Sequence, residues 1–319
     1  MRAFIFPGQG SQAVGMGAAL AESSAAARAV FDEVDDALGQ HLFRTMTQGP
    51  ADALTLTENA QPAIMANAIA TLRVLEREGG VRLADRAECV AGHSLGEYTA
   101  LCAADALDLG TTARLLRLRG RAMQAAVPVG EGAMAALLGA DVDLARTIAG
   151  AAVDAIRAEG GGELVCAIAN DNDPSQVVIS GHRPAIERAI ALAKELGAKR
   201  GLLLPVSAPF HCPLMQPAAD AMEKALADTA LRAPLVALYG NVDAAAVADP
   251  GAIRALLVAQ VTGMVRWRES VLAMVDAGVS EFVEFGGKVL APMVKRIAPD
   301  VTATSVVTMD DIEALVKSL

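Results

Sequence analysis

Ser94 lies in Gly92-His93-Ser94-Leu95-Gly96, a Gly-x-Ser-x-Gly pentapeptide between the apolar run Cys89-Val90-Ala91 and a helix-favouring run that starts at Glu97. A strand, a sharp turn and a helix in that order lift a serine hydroxyl clear of the backbone. The glycines leave out side chains that would collide in so tight a turn. The start of the following helix aims free N–H groups and a positive dipole end at any oxyanion formed beside Ser94. The chemistry suggested is nucleophilic attack by the serine oxygen. By itself the pentapeptide points equally to hydrolysis and to group transfer.

Such a serine needs a group that removes its proton, most often a histidine. The chain offers His41, His93, His182 and His211. His93 neighbours Ser94, so on a nucleophile turn its side chain should point away. His41 lies among helix-end residues, and His182 follows a strand. His211 stands in Ser207-Ala208-Pro209-Phe210-His211-Cys212-Pro213-Leu214-Met215. The prolines exclude a regular element there and hold a loop rigid. His211 is the expected base and His182 the second candidate; a structural histidine satisfied within the loop is the alternative. The loop Phe6-Pro7-Gly8-Gln9-Gly10-Ser11-Gln12 ends the first strand and can supply a second oxyanion N–H, unless it is only a turn rich in small residues.

The elements that must position these residues alternate. Strands are expected at 3–6, 89–91, 281–285 and 303–307. Helices are expected over 24–38, 61–78, 109–126, 218–229, 251–261, 266–277 and 288–297. For the second of these, Asn59 reads as the cap, Pro62 as a first-turn residue and Gly79-Gly80 as the stop. The composition shifts at 127–132. From there a strand (133–138), a helix (141–158), two strands (164–169 and 176–180), a helix (184–197) and a strand (199–206) follow in β-α-β-β-α-β order. The expected fold class is α/β: an α/β-hydrolase-like core with a mainly parallel sheet, formed by 1–126 and 205–319, plus an inserted ferredoxin-like subdomain at 127–204.

Bulk properties exclude several classes. A net charge of -10 and only 3% aromatic residues argue against nucleic-acid binding. The longest uncharged stretches are broken by Pro, Gly and Gln, so no membrane span or signal peptide is expected. Cys89, Cys102, Cys166 and Cys212 lack metal-ligand spacing and fit reduced thiols in a cytoplasm.

The loop Phe6–Gln12, the segment Gly92-His93-Ser94-Leu95-Gly96-Glu97-Tyr98, the run Arg119-Gly120-Arg121-Ala122-Met123-Gln124 and Phe210-His211-Cys212 resemble, in order, the motifs of malonyl-CoA:acyl carrier protein transacylases. Asn170-Asp171-Asn172 with Gln176 to Gly181 resembles that family's inserted subdomain. Gly240-Asn241-Val242 and Glu284 to Leu290 extend the likeness over nearly the whole chain. Where the family often has Gly-Pro, this chain has Gly286-Gly287.

The resemblance implies that Ser94 becomes malonylated and that His211 is the general base. It implies backbone N–H groups of Gln9 and Leu95 as the oxyanion hole, and Arg119 as the grip on the malonyl carboxylate. A backbone carbonyl at Gln260 would orient the histidine, and Met123 and Phe210 would line the pocket. In related polyketide enzymes a phenylalanine at the position of Phe210 accompanies malonyl over methylmalonyl selection; simple loop packing is the alternative. The implied partners are malonyl-CoA and acyl carrier protein. No metal or redox cofactor is implied, and a monomer is the usual form.

Physical chemistry agrees on Arg119. A site that selects a free carboxylate needs a fixed cation, and the planar fork of arginine makes two parallel hydrogen bonds while staying charged. Arg114, Arg117 and Arg121 read as charges on a solvated helix face; that reading is the alternative for Arg119 as well, and only the resemblance sets Arg119 apart. Two other functions compete. A serine esterase or thioesterase would pass the acyl group to water, and a non-catalytic carrier-binding module would lack Ser94 or His211. Binding an acidic carrier protein would need a local basic patch on this acidic chain.

Overall fold

Strand β1 (Arg2–Phe6) shows how the core is organised: Phe4 and Phe6 point to one face, and Ala3 and Ile5 to the other. This is the two-residue period of a strand buried on both faces. A computed structural model describes residues 1–319. In it β1 lies between β2 (Cys89–Gly92) and β9 (Glu281–Phe285), with register Phe6↔Gly92 and Ile5↔Glu284.

Two sheets form. Strands β3 (Gly132–Leu138), β4 (Cys166–Asp173), β5 (Gln176–His182) and β6 (Arg200–Leu203) make an antiparallel sheet of order β4-β5-β3-β6. Strands β7 (Ala237–Tyr239), β8 (Ala246–Val247) and β10 (Thr302–Val306) complete a six-stranded sheet of order β10-β9-β1-β2-β7-β8. All of its pairings are parallel except β7 with β8. The fold class is therefore α/β, with a mostly parallel sheet and a separate antiparallel sheet in ferredoxin-like strand order. The main core covers one face of the parallel sheet with the helices Thr57–Arg77 and Leu109–Ala126. A second core around Trp267 and Phe282 covers the other face, and a third fills the antiparallel sheet. No helix is long and apolar enough to cross a membrane.

Three expectations change. The helix expected to start at Gln61 begins at Thr57, so Asn59 and Pro62 lie inside it. Pro62 has no N–H for the Glu58 carbonyl one turn earlier, and Arg117 Nε donates to that carbonyl instead, at 2.8 Å. Arg117 is consequently buried at 7% exposure and is not on a solvated face, whereas Arg114 and Arg121 are exposed.

The strand expected at 164–169 runs on through the polar Asn170-Asp171-Asn172-Asp173, with register shifts. Asp171 and Asp173 are buried because Arg268 and Arg296 pair with them. The short strand β7, between Pro234 and Gly240, was not foreseen; it pairs with β2 and carries the chain to Asn241.

Candidate active site

Ser94 follows β2 and precedes the helix Leu95–Ala103, at φ 53 and ψ -110. Only four non-glycine residues have positive φ, and Ser94 and His211 are two of them. Such conformations cost on the order of 1–3 kcal/mol and persist where the surroundings enforce them. The enforcement is visible at the flanking glycines. A Cβ on Gly92 would lie 1.9 Å from the Gly96 backbone, and one on Gly96 would lie 2.2 Å from Phe6 O. Ser94 N–H donates to Asn241 Oδ1 at 2.7 Å, and Asn241 Nδ2 donates to Gly92 O at 2.7 Å, which fixes the amide's orientation.

His211 Nε2 is 2.8 Å from Ser94 Oγ, and its Nδ1 is 2.9 Å from the Gln260 carbonyl. A carbonyl only accepts, so Nδ1 carries the proton and Nε2 presents its lone pair to the serine hydroxyl. Burial pushes His211 down to about 3, and the neighbouring Arg119 charge adds to this. The ring is neutral at neutral pH and able to accept a proton.

Arg119 is buried at 1% exposure on the helix Leu109–Ala126. Its Nη1 donates to Gln61 Oε1 at 2.9 Å, and its Nη2 donates to Gln260 Oε1 at 2.8 Å and to Ser94 Oγ at 3.1 Å. Burial lowers its pKa below that of free arginine, yet no carboxylate pairs with it directly. The guanidinium thus sits beside the nucleophile with an N–H that an incoming anion can take from Ser94.

Gln9, Ser94, Leu95, Arg119, Met123, Phe210 and His211 line one cavity of about 560 Å³, a size suited to a small-molecule site. Gln260 lies fully buried behind it. Leu95 N–H, the first of its helix, has no intrahelical acceptor, and Gln9 N–H makes no hydrogen bond within the protein. His93, also on the lining, turns its Nε2 to Asn172 Oδ1 at 2.8 Å. His182 is absent from the lining and accepts from Val165 N–H through Nδ1, and the His41 side chain is 89% exposed.

The sequence reading did not assign roles to Gln61, Asn241, Asn172 or Glu97. Each joins the site through a partner distant in sequence, so no local pattern signals it.

An acyl transferase domain family matches residues 3–295 of the chain. The chain is 45% identical over 304 residues to the malonyl CoA-acyl carrier protein transacylase of Escherichia coli (strain K12), covering 95% of this chain and 94% of that protein. It superposes on the crystal structure of acyl-carrier-protein-S-malonyltransferase from Bartonella henselae with a TM-score of 0.94 and 51% identity, over 99% of this chain and 98% of that one. It is also similar to the structure of a type II PKS acyl-carrier protein in complex with its malonyl-transacylase. There the TM-score is 0.93 and the identity 37%, over 100% of this chain and 99% of that one.

Proposed function

The chain belongs to the acyl transferase domain family, and from that premise we propose that it moves the malonyl group of malonyl-CoA to the phosphopantetheine thiol of acyl carrier protein. The observation that carries this reading is Arg119: a buried cation, without a direct counter-ion, 3.1 Å from the nucleophile. A site for acetyl or other neutral acyl groups has no use for it. A carboxylate three carbons from the reacting sulfur does.

The steps form a ping-pong exchange. His211 Nε2 takes the Ser94 proton as Oγ attacks the thioester carbonyl. The N–H groups of Gln9 and Leu95 receive the oxyanion; losing one such donor costs roughly 2.7–4 kcal/mol. The tetrahedral intermediate collapses with cleavage of the C–S bond, and His211 returns the proton to the departing CoA thiolate. The carrier's thiol then gives its proton to His211 and attacks the Ser94 ester, and Oγ leaves with that proton. Arg119 holds the malonyl carboxylate throughout. The scheme calls on no metal or redox cofactor; malonyl-CoA is a substrate.

Phe210 is 7% exposed on the cavity wall, and in this reading its ring fills the space that an α-methyl group would need. It sets a preference for malonyl over methylmalonyl units. The enzyme acts as a monomer in the cytoplasm; its four unpaired cysteines support the cytoplasmic part of this reading, and analytical ultracentrifugation tests the monomer.

Mixing the protein with malonyl-CoA alone should leave one malonyl group on Ser94, detected by peptide mass spectrometry, and adding carrier protein should discharge it to the carrier. An unmodified Ser94, or discharge to water at the same rate with and without carrier, would refute the reading.

A further inference from the structure

Glu97 is fully buried on the helix Leu95–Ala103. Its Oε2 accepts from Gln260 Nε2 at 2.6 Å and from Asn241 N–H at 3.3 Å. Its Oε1 is buried with no partner. A carboxyl oxygen shut away from donors is a poor place for negative charge and a suitable one for a proton. On the other side of the same Gln260 amide, Oε1 accepts from Arg119 Nη2 at 2.8 Å. One amide therefore separates a buried carboxyl from a buried guanidinium, and neither has a direct ionic partner.

Taking Arg119 as the partner of the malonyl carboxylate, a reading on which this inference rests, we propose that Glu97 balances the charge of Arg119 in the empty enzyme and takes up a proton when the malonyl carboxylate binds. One carboxylate then answers the guanidinium at a time. The balance is simple: the ionised Glu97 and the malonyl anion enter with one solvent proton, which ends on Glu97, and no other bond changes. Acetyl groups bring no charge and leave Glu97 as it was. Glu97 acts through Gln260 and does not touch the substrate.

The surroundings fit this role. Burial pushes the Glu97 carboxyl up to about 7, and Asp243, in the turn after β7, adds to the rise. The Gln260 amide, the Asn241 N–H and Arg119, from the helix Leu109–Ala126, oppose it. Tyr98 is its neighbour on the same helix, and His211 shares Gln260 with it. Arg73, from the helix Thr57–Arg77, acts through its charge on Cys102 of the same helix. An added malonyl carboxylate raises the pKa of Glu97 further. Below pH 7 Glu97 is already largely protonated, so binding takes up little and malonyl affinity is level. Above pH 7 binding draws in a proton, and affinity falls by at most about tenfold per pH unit.

The test is calorimetric titration of the Ser94→Ala protein, which cannot be acylated, with malonyl-CoA at pH 6 and pH 8 in buffers of different ionisation enthalpy. Uptake of about one proton per malonyl-CoA at pH 8, much less at pH 6 and none with acetyl-CoA is expected. Adding Glu97→Gln, which keeps the acceptor for Gln260 but cannot titrate, should abolish the uptake and flatten the affinity against pH. Malonyl binding without proton uptake at pH 8 would overturn the proposal, and this count needs no change at Glu97. Uptake that persists in Glu97→Gln would overturn it as well. Should Arg119→Ala leave malonyl-CoA binding unchanged, the reading of Arg119 itself fails and the proposal falls with it.

Discussion

In the parallel sheet the strands lead into the candidate site: β1 to Gln9, β2 to Ser94, and β7 to Asn241, which braces the Ser94 turn. The antiparallel sheet supplies residues that cover the site: Met134 and Asn170 face the cavity from within β3 and β4, and Leu204 follows β6. The difference is geometric. Parallel strands bring their carboxyl ends to one edge, where helix N-termini also gather. Antiparallel strands send successive ends to opposite edges, so their sheet offers a wall and no convergent point. The wall is fastened to the catalytic core by polar contacts: Asn172 to His93, Asp171 to Arg268, Asp173 to Arg296, and a backbone bridge between Asn170 and Val265.

This division can be broken by mutation. Ser94→Ala or His211→Ala should lower kcat/KM for malonyl transfer on the order of 10⁴-fold or more with the fold intact; circular dichroism and steady-state transfer assays check both. Arg119→Ala removes one partner of a buried charge contact, worth roughly 2–5 kcal/mol. Malonyl transfer should fall accordingly, while the much weaker acetyl transfer holds or rises. Equal losses for both acyl groups would mean that Arg119 merely supports the core.

In the covering sheet, Ile179→Ala empties a fully buried site between β3 and β4 and should destabilise the protein by roughly 2–5 kcal/mol in urea unfolding. The kcat of the folded enzyme should be unchanged; a fall in kcat would show that the wall takes part in the chemistry. Phe210→Ser should raise methylmalonyl transfer relative to malonyl by roughly 10-fold or more, measured by competition between the two CoA esters. The smallest effect concerns pH. Because burial and Arg119 lower the pKa of His211, its base form persists below the ordinary histidine value of 6.5. The acid limb of kcat/KM should therefore lie below pH 6.5, and a limb at or above it would contradict the neutral, buried ring.

What could be read in advance followed from how local each signal is. Gly92, Ser94 and Gly96 announce their turn because the steric conflict they avoid lies within five residues. Phe210-His211 stands out because prolines exclude any regular element around it. Gln260 shows nothing of its part, since it sits in the ordinary helix Pro250–Thr262 and only the resemblance singled it out. Arg117 misled for the same reason in reverse: its helix is amphipathic, and nothing nearby indicates that Pro62 leaves a carbonyl free 59 positions away in sequence. The polar run Asn170 to Asp173 lies outside the strand expected at 164–169, because its partners Arg268, Arg296 and His93 are far away in sequence.

The sequence by itself determined that a strained serine turn exists, that a rigid loop carries a histidine, and that strands and helices alternate around a β-α-β-β-α-β unit. These depend on backbone sterics and residue periodicity, which act over a few positions. Only the tertiary structure decided that Ser94, His211 and Arg119 meet, that the Gln260 carbonyl selects the histidine tautomer, and that Glu97 lies one amide away from the guanidinium. Those contacts join residues 25 to 163 positions apart. Their energies come from burial and charge, which exist only once the two sheets have closed around the site.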